Sequence, residues 1–249
     1  MLKDKVALVT GGGSGIGRAV ALVWAREGAK VVVSDISAKQ GEETAEMVRA
    51  KGGQALFVET DVGNPADAKT LVERAVSHFG RLDVACNNAG IGGPSAPVAQ
   101  YPLEGWAQVI NINLNGVFYG MQQQIAAMLK TGGGSIINMA SILGAVGSAT
   151  NSAYTAAKHG VVGLTQAAAI EYGAQGIRIN AVAPGFIHTP MLTGLEANAE
   201  AKAMLIKAHP IGRLGQPEEV AELVAWLASD RALFVTGAYL PVDGGYLAR

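Results

Sequence analysis

Residues 5–17 read KVALVTGGGSGIG: Lys5 and a run of aliphatic residues to Thr10, then a turn with glycines at 11, 12, 13, 15 and 17. The apolar run has the length and composition of a buried strand. Helical periodicity follows from Gly15 to Gly28, and Lys30–Asp35 (KVVVSD) is a second strand-like run. Strand, glycine turn, helix and strand make a βαβ unit, in which the backbone N–H groups at the helix start can face a pyrophosphate. The glycine spacing is GxxxGxG rather than GxGxxG, so the position of the turn within the unit carries the reading; a purely structural strand-to-helix corner is the other reading.

Working outward, the alternation repeats and predicts a parallel sheet. Ser37 and Gln40 have capping-box spacing at the head of a helix ending near Gly52 and Gly53. Strands are expected at 54–59, 82–86, 134–140, 178–183 and 239–242. Pro65 opens a helix to about His78, one long helix is expected around 106–129, and a small-residue helix around 152–172. The loop from Gly90 to Pro102 is rich in glycine and proline, and the weakly periodic stretch after Pro184-Gly185, about 189–210, reads as a mobile lid. A last helix starts at Pro217, with Glu218 and Glu219 in its first turn.

Composition narrows the function. The 249 residues carry 19 Lys+Arg against 20 Asp+Glu, so there is no cationic surplus for a nucleic acid. With 49% hydrophobic and 16% charged residues the chain reads as globular, and its apolar stretches are interrupted too often for a membrane span. A single cysteine, Cys86, reads as a buried strand residue. Together with an amino terminus lacking a signal-peptide pattern, it suggests a reducing, cytoplasmic setting. His78, His159, His188 and His209 lie far apart, without metal-ligand spacing.

Four residues carry chemistry. Asp35 ends the second strand, where a carboxylate accepts hydrogen bonds from the adenosine ribose hydroxyls and repels a 2′-phosphate. Neither Ser14 nor Ile36 is basic, which favours NAD over NADP; the competing reading is that Asp35 merely starts a turn. Tyr154 and Lys158 stand four residues apart on a predicted helix, so phenol and ammonium share a face, and a nearby cation lowers a phenol's pKa toward the operating pH. Ser141, at the end of the fifth strand, can hold a substrate oxygen beside the phenol.

With Thr10–Gly17, Asp61-Val62, Asn87-Asn88-Ala89-Gly90, Asn113, Ser141, Tyr154-xxx-Lys158, Asn180 and Pro184-Gly185 in place, the chain resembles the short-chain dehydrogenase/reductase family over essentially its whole length. The resemblance implies a single domain over 1–249: a doubly wound α/β fold with a parallel seven-stranded Rossmann sheet and helices on both faces. It implies Tyr154 as general acid/base, Lys158 binding the nicotinamide ribose and lowering the tyrosine pKa, Ser141 polarising the substrate oxygen, and Asn113 anchoring a water relay. The cofactor would be NAD, held by Gly11, Ser14, Gly15, Ile16 and Gly17 of the turn, Asp35, Asp61 and Val62 beside the adenine, and Asn88, Ala89 and Gly90. Tyr154, Lys158, Pro184, Gly185, Ile187 and Thr189 complete that set. Asn88 and Asn180 read equally well as buried amides that tie loops together.

The small residues Ala153, Ala156, Ala157, Gly160, Gly163, Ala167 and Ala168 suit close helix packing, and by resemblance part of that surface joins subunits of a homotetramer. The narrower likeness is to NAD-dependent secondary and cyclic alcohol dehydrogenases. Segments 91–98, 142–147 and 185–209 should form the pocket, with Ile91, Ser141, Leu143, Phe186, Met191 and Leu192 lining it. The first two segments contain no Lys or Arg, which points to a small, uncharged, largely hydrophobic alcohol or ketone rather than an anionic hydroxy acid. Lys202 and Lys207 read as a solvated face. A 3-ketoacyl carrier-protein reductase remains an enzyme alternative, opposed by Asp35, and a non-catalytic NAD-sensing binding protein is the alternative of another class. No metal site is expected.

Overall fold

Strands joined by crossover helices are covered on both faces, and runs such as Val31-Val32-Val33 are correspondingly apolar throughout. In the computed structural model, which describes residues 1–248, the strands are β1 (Val6–Thr10), β2 (Lys30–Asp35), β3 (Gln54–Glu59), β4 (Val84–Asn87), β5 (Gly134–Met139), β6 (Ile177–Pro184) and β7 (Tyr239–Val242). They form one seven-stranded sheet in the order β3-β2-β1-β4-β5-β6-β7, with every neighbouring pair parallel. The helices are α1 (Gly15–Arg26), α2 (Ala38–Ala50), α3 (Pro65–Phe79), α4 (Leu103–Ile110), α5 (Gly116–Leu129), α6 (Ser152–Tyr172), α7 (Thr193–Glu196), α8 (Ala199–Lys207) and α9 (Pro217–Ala228).

Alternation along β1 shows the two layers. Ala7 and Val9 pack with Val20 and Trp24 of α1 and Val224 of α9. Val6 and Leu8 pack with Leu71 of α3, Val117 of α5 and Val161 of α6. The expected doubly wound sheet with helices on both faces is therefore observed. Its strand order reverses between β1 and β4, the switch point at which ligands bind in such folds.

Local chemistry sets the boundaries. The Ser37 hydroxyl accepts from the Gln40 N–H, the Asn64 side chain accepts from Ala66 N–H just before α3, and Gly80 closes α3 with φ +84°. The helix expected at 106–129 is instead two, α4 and α5, joined by a widened π-turn over Asn111–Asn115. The reason is tertiary: Asn113 uses both side-chain atoms on the backbone of Ile91, and Asn111 donates to the Gly63 carbonyl. Where the widened turn ends, Gly116 lies so close to Val62 that a Cβ would sit 3.0 Å from its carbonyl oxygen. Such turns are frequent at functional sites. The stretch expected as a lid folds into a 3-10 turn at Pro190–Leu192 followed by α7 and α8, the latter capped by Asn198.

Candidate active site

The glycine turn leaves β1 at the switch point. Gly11 and Gly15 have φ +63° and +49°, in the left-handed region that favours glycine, and a Cβ on Gly17 would stand 2.0 Å from the Gly11 carbonyl oxygen. The turn is thus pressed flat against α1. Ser14 at the helix N-cap makes no side-chain cap, and the first turn of α1 holds no acidic residue. Its N–H groups are therefore free of side-chain partners, as an anion site requires. Thr10 fastens the turn to β4: its hydroxyl accepts from the N–H groups of Asn88 and Ala89, while the Asn88 amide donates to the carbonyls of Thr10 and Gly11. This makes Asn88 a tie between neighbouring strand ends.

The Asp35 carboxylate is fixed by the N–H of Gly13 and the N–H of Ser37, each at 2.8 Å. Each oxygen keeps a further lone pair for a diol. Arg18, the basic residue nearest the turn in sequence, points elsewhere, pairing with Glu43 and donating to Thr44. Asp61 and Val62 lie just beyond β3, in a loop held by the Asp61 N–H on Asp67 and by the Thr60 N–H on the Asp35 carbonyl.

At the carboxyl end of β5, Ser141 caps a 3-10 turn by accepting from the Leu143 N–H. Its own carbonyl receives the Tyr239 hydroxyl of β7 at 2.7 Å. Tyr154 and Lys158 of α6 stack with the ammonium 5.4 Å from the ring centroid, and the buried Lys158 donates to the Met139 carbonyl at 2.7 Å. Burial raises the Tyr154 phenol, a hydrogen bond with Ser141 partly opposing it, and burial lowers Lys158 to about 8. Loss of solvation is the larger influence on the phenol, and the Ser141 hydrogen bond is the one opposing it.

Gly90, Asn113 and Lys158 converge: a Cβ on Gly90 would lie 3.2 Å from the Asn113 Oδ1 and 3.8 Å from the Lys158 Nζ. The Asn113 side chain is tied to Ile91 through both its Oδ1 and its Nδ2, which holds it beside Gly90 and Lys158.

Beyond β6, Thr189 lies over the glycine turn, its Cγ2 3.2 Å from where a Gly15 Cβ would be. Ile187 is buried in the core and bridged to Gly215, so its expected cofactor contact would have to come from backbone. Phe186 packs edge-on to His209 and Tyr246. Met191 is exposed and Leu192 half-buried, while Leu143 is buried beside Ser141. Lys202, with His188, Thr189, Pro190 and Glu196, borders an open cleft of about 520 Å³.

The chain matches the family model described as enoyl-(acyl carrier protein) reductase over residues 11–247. It is 50% identical to the cyclohexanol dehydrogenase of Acinetobacter sp. (strain SE19), the match covering 99% of this chain and 96% of that one. It belongs to the short-chain dehydrogenase/reductase family. Other members of this family include the cis-4-hydroxycyclohexanecarboxylate dehydrogenase of Sinomonas cyclohexanicum, 48% identical over 98% of this chain and 97% of that one. The crystal structure of levodione reductase superposes with a TM-score of 0.96 at 41% identity, covering 100% and 99% of the two chains. An Agrobacterium tumefaciens structure described as a 2-deoxy-d-gluconate 3-dehydrogenase with bound NADP gives 0.92 at 37%, covering 100% and 98%. Members of the family use NAD or NADP.

Some members of the site lie outside every motif, and Asn87, though inside one, had no role read for it. Tyr239, which holds the Ser141 backbone, is a lone aromatic in a short strand. Asn87, Gln124, Asn138 and Thr165 form a fully buried chain of hydrogen bonds joining β4, α5, β5 and α6. Polar residues inside apolar elements were the available signal, since buried amides need partners.

Proposed function

We propose that this protein transfers hydride between NAD(H) and the carbinol carbon of a small, uncharged, largely hydrophobic secondary alcohol or ketone, with Tyr154 as the proton-transfer group. The observation that carries this is the convergence of Ser141, Tyr154 and Lys158 at the carboxyl end of β5, next to the switch point. The uncapped start of α1 and the flattened glycine turn suit a dinucleotide's pyrophosphate.

In this reading Gly11, Ser14, Gly15, Ile16 and Gly17 cradle the phosphates, Asp35 accepts the ribose hydroxyls, and Asp61 and Val62 flank the adenine. Ala89, Gly90, Pro184, Gly185, the Ile187 backbone and Thr189 border the nicotinamide half. The dinucleotide, when bound, supplies or accepts the hydride. The phenol of Tyr154 gives its proton to a ketone oxygen in reduction and takes the hydroxyl proton in oxidation, while the Ser141 hydroxyl holds the same oxygen. Lys158 keeps donors beyond the one on Met139 for ribose hydroxyls.

Support for NAD over NADP is the backbone-fixed Asp35 and the side chain beside it, Ile36, which is 68% exposed and uncharged. Residues 189–210 act as a lid that excludes water. Exposed Phe118 and Leu129 on α5, and exposed Ala156, Gly163, Ala167 and Ile170 on α6, support a helix-face contact within a cytoplasmic homotetramer. Of the remaining small residues of that set, Ala153, Ala157 and Ala168 are core and Gly160 is half-buried.

The test is a panel of cyclic and linear secondary alcohols against hydroxy acids and polyols at matched NAD. Uncharged members should show the higher kcat/KM. A preference for charged or polyhydroxylated members overturns the apolar-pocket reading.

A further inference from the structure

His209 follows the last turn of α8 and is 3% exposed. Its Nδ1 lies 2.8 Å from the Leu205 carbonyl, one helical turn back, and a carbonyl only accepts, so Nδ1 carries the proton. Nε2 is then an acceptor, and it receives the Phe186 N–H at 3.2 Å. The rings of Phe186 and Tyr246 pack against the imidazole at 5.7 and 5.6 Å. Behind it, a Cβ on Gly185 would come within 2.7 Å of Nε2 and 3.0 Å of the Asp243 Cα. Both ring nitrogens are committed, and there is no room for the ring to shift toward β6.

The N–H that His209 holds belongs to the stretch leaving β6, which a few residues later lays Thr189 against Gly15 of the glycine turn. One neutral imidazole therefore joins the end of the lid to the backbone that passes over the dinucleotide turn. Filling a corner of the core would need neither nitrogen; here both are used, and one of them reaches across 23 residues to a backbone donor.

We propose that His209 is a positioning residue for the dinucleotide, its Nε2 acting as the latch that fixes the Gly185–Thr189 backbone. This rests on the reading of that stretch as bordering the nicotinamide half. Two amide variants separate the latch from simple packing. A glutamine amide extends about as far as Nε2 and can accept from the Phe186 N–H; an asparagine amide extends only as far as Nδ1 and can serve Leu205 but not Phe186.

The experiment is fluorescence titration of the full-length protein with NADH and with NADPH, beside thermal unfolding and steady-state kinetics. His209→Gln should bind the preferred dinucleotide within about 3-fold of the unmodified protein, and His209→Asn about 5- to 30-fold more weakly, the effect of losing one buried hydrogen bond. In both, kcat at saturating dinucleotide should stay within about 3-fold, because the reacting groups are untouched. His209→Leu, which fills the space and offers no acceptor, should follow His209→Asn and gives the same comparison should that variant not fold. Equal affinities in His209→Gln and in His209→Asn or His209→Leu overturn the latch. If the unmodified protein binds neither dinucleotide, the cofactor reading fails and the latch with it.

Discussion

The wall of the cleft that leaves β1 and the wall that leaves β5 and β6 are built by different means. The first is shaped by backbone: glycines at positive φ, a turn pressed to 2.0 Å from a would-be Gly17 Cβ, and a carboxylate fixed by N–H groups of Gly13 and Ser37. The second is shaped by side chains drawn from distant elements: Tyr239 on the Ser141 carbonyl, Asn113 on Ile91, and the buried Asn87, Gln124, Asn138 and Thr165 chain behind α6. A backbone cradle can serve any ligand with the same phosphates and ribose, whereas side chains tune the chemistry and the choice of substrate. Binding and turnover should therefore be separable by mutation.

The largest expected effect falls on the side-chain wall. Tyr154→Phe removes one oxygen and little packing. It should lower kcat by on the order of 10² to 10⁴ while NADH titration still shows binding, the split expected of a lost general acid/base. Near-normal turnover refutes the assignment.

A smaller effect tests the support beneath that wall. Asn138→Ala leaves the Asn87 amide and the Thr165 hydroxyl short of a partner in the core, and should cost about 1–3 kcal/mol of stability by denaturant unfolding. Because α6 carries Tyr154 and Lys158, kcat should fall more than dinucleotide affinity does. Loss of affinity with kcat intact would erase the distinction between the walls.

The mildest effect is in pH. Burial holds the phenol up and Lys158 down to about 8, so at neutral pH the pair stands as neutral phenol beside ammonium. On the proposed assignment ketone reduction draws on that fully protonated pair, and its kcat/KM should be level at neutral pH and decline above about 8. Alcohol oxidation needs the pair with one proton removed, and should rise over the same range, each by at most about tenfold per pH unit. Opposite slopes contradict the role given to the dyad.

The same contrast explains what the sequence made legible. The backbone wall is local: Lys5–Gly17 and Lys30–Asp35 contain the strand, turn, helix start and carboxylate within one βαβ unit, and the strands β2, β3 and β7 fall where their β-branched or apolar runs predict. The π-turn at Asn111–Asn115 was not legible, because it exists through contacts with Ile91 and Gly63, residues remote in sequence. Tyr154 and Lys158 were placed correctly on one helical face, but the direction of the phenol shift depends on how deeply the fold buries it. His209 begins the stretch His209–Glu219, which reads only as a likeness to alcohol dehydrogenases; the contact with the Phe186 N–H, 23 residues away, is not legible there.

We propose that the backbone wall selects the dinucleotide through Asp35. The most direct measurement is the ratio of kcat/KM for NAD and NADP with one uncharged cyclic secondary alcohol, in the unmodified protein and in the Asp35→Ala, Ile36→Arg double variant. The unmodified protein should prefer NAD by about tenfold or more, one unfavourable charge contact being worth at least that, and the double variant should shift toward NADP as repulsion is removed and a phosphate partner added. An unmodified protein that prefers NADP, or that uses both equally, would contradict it.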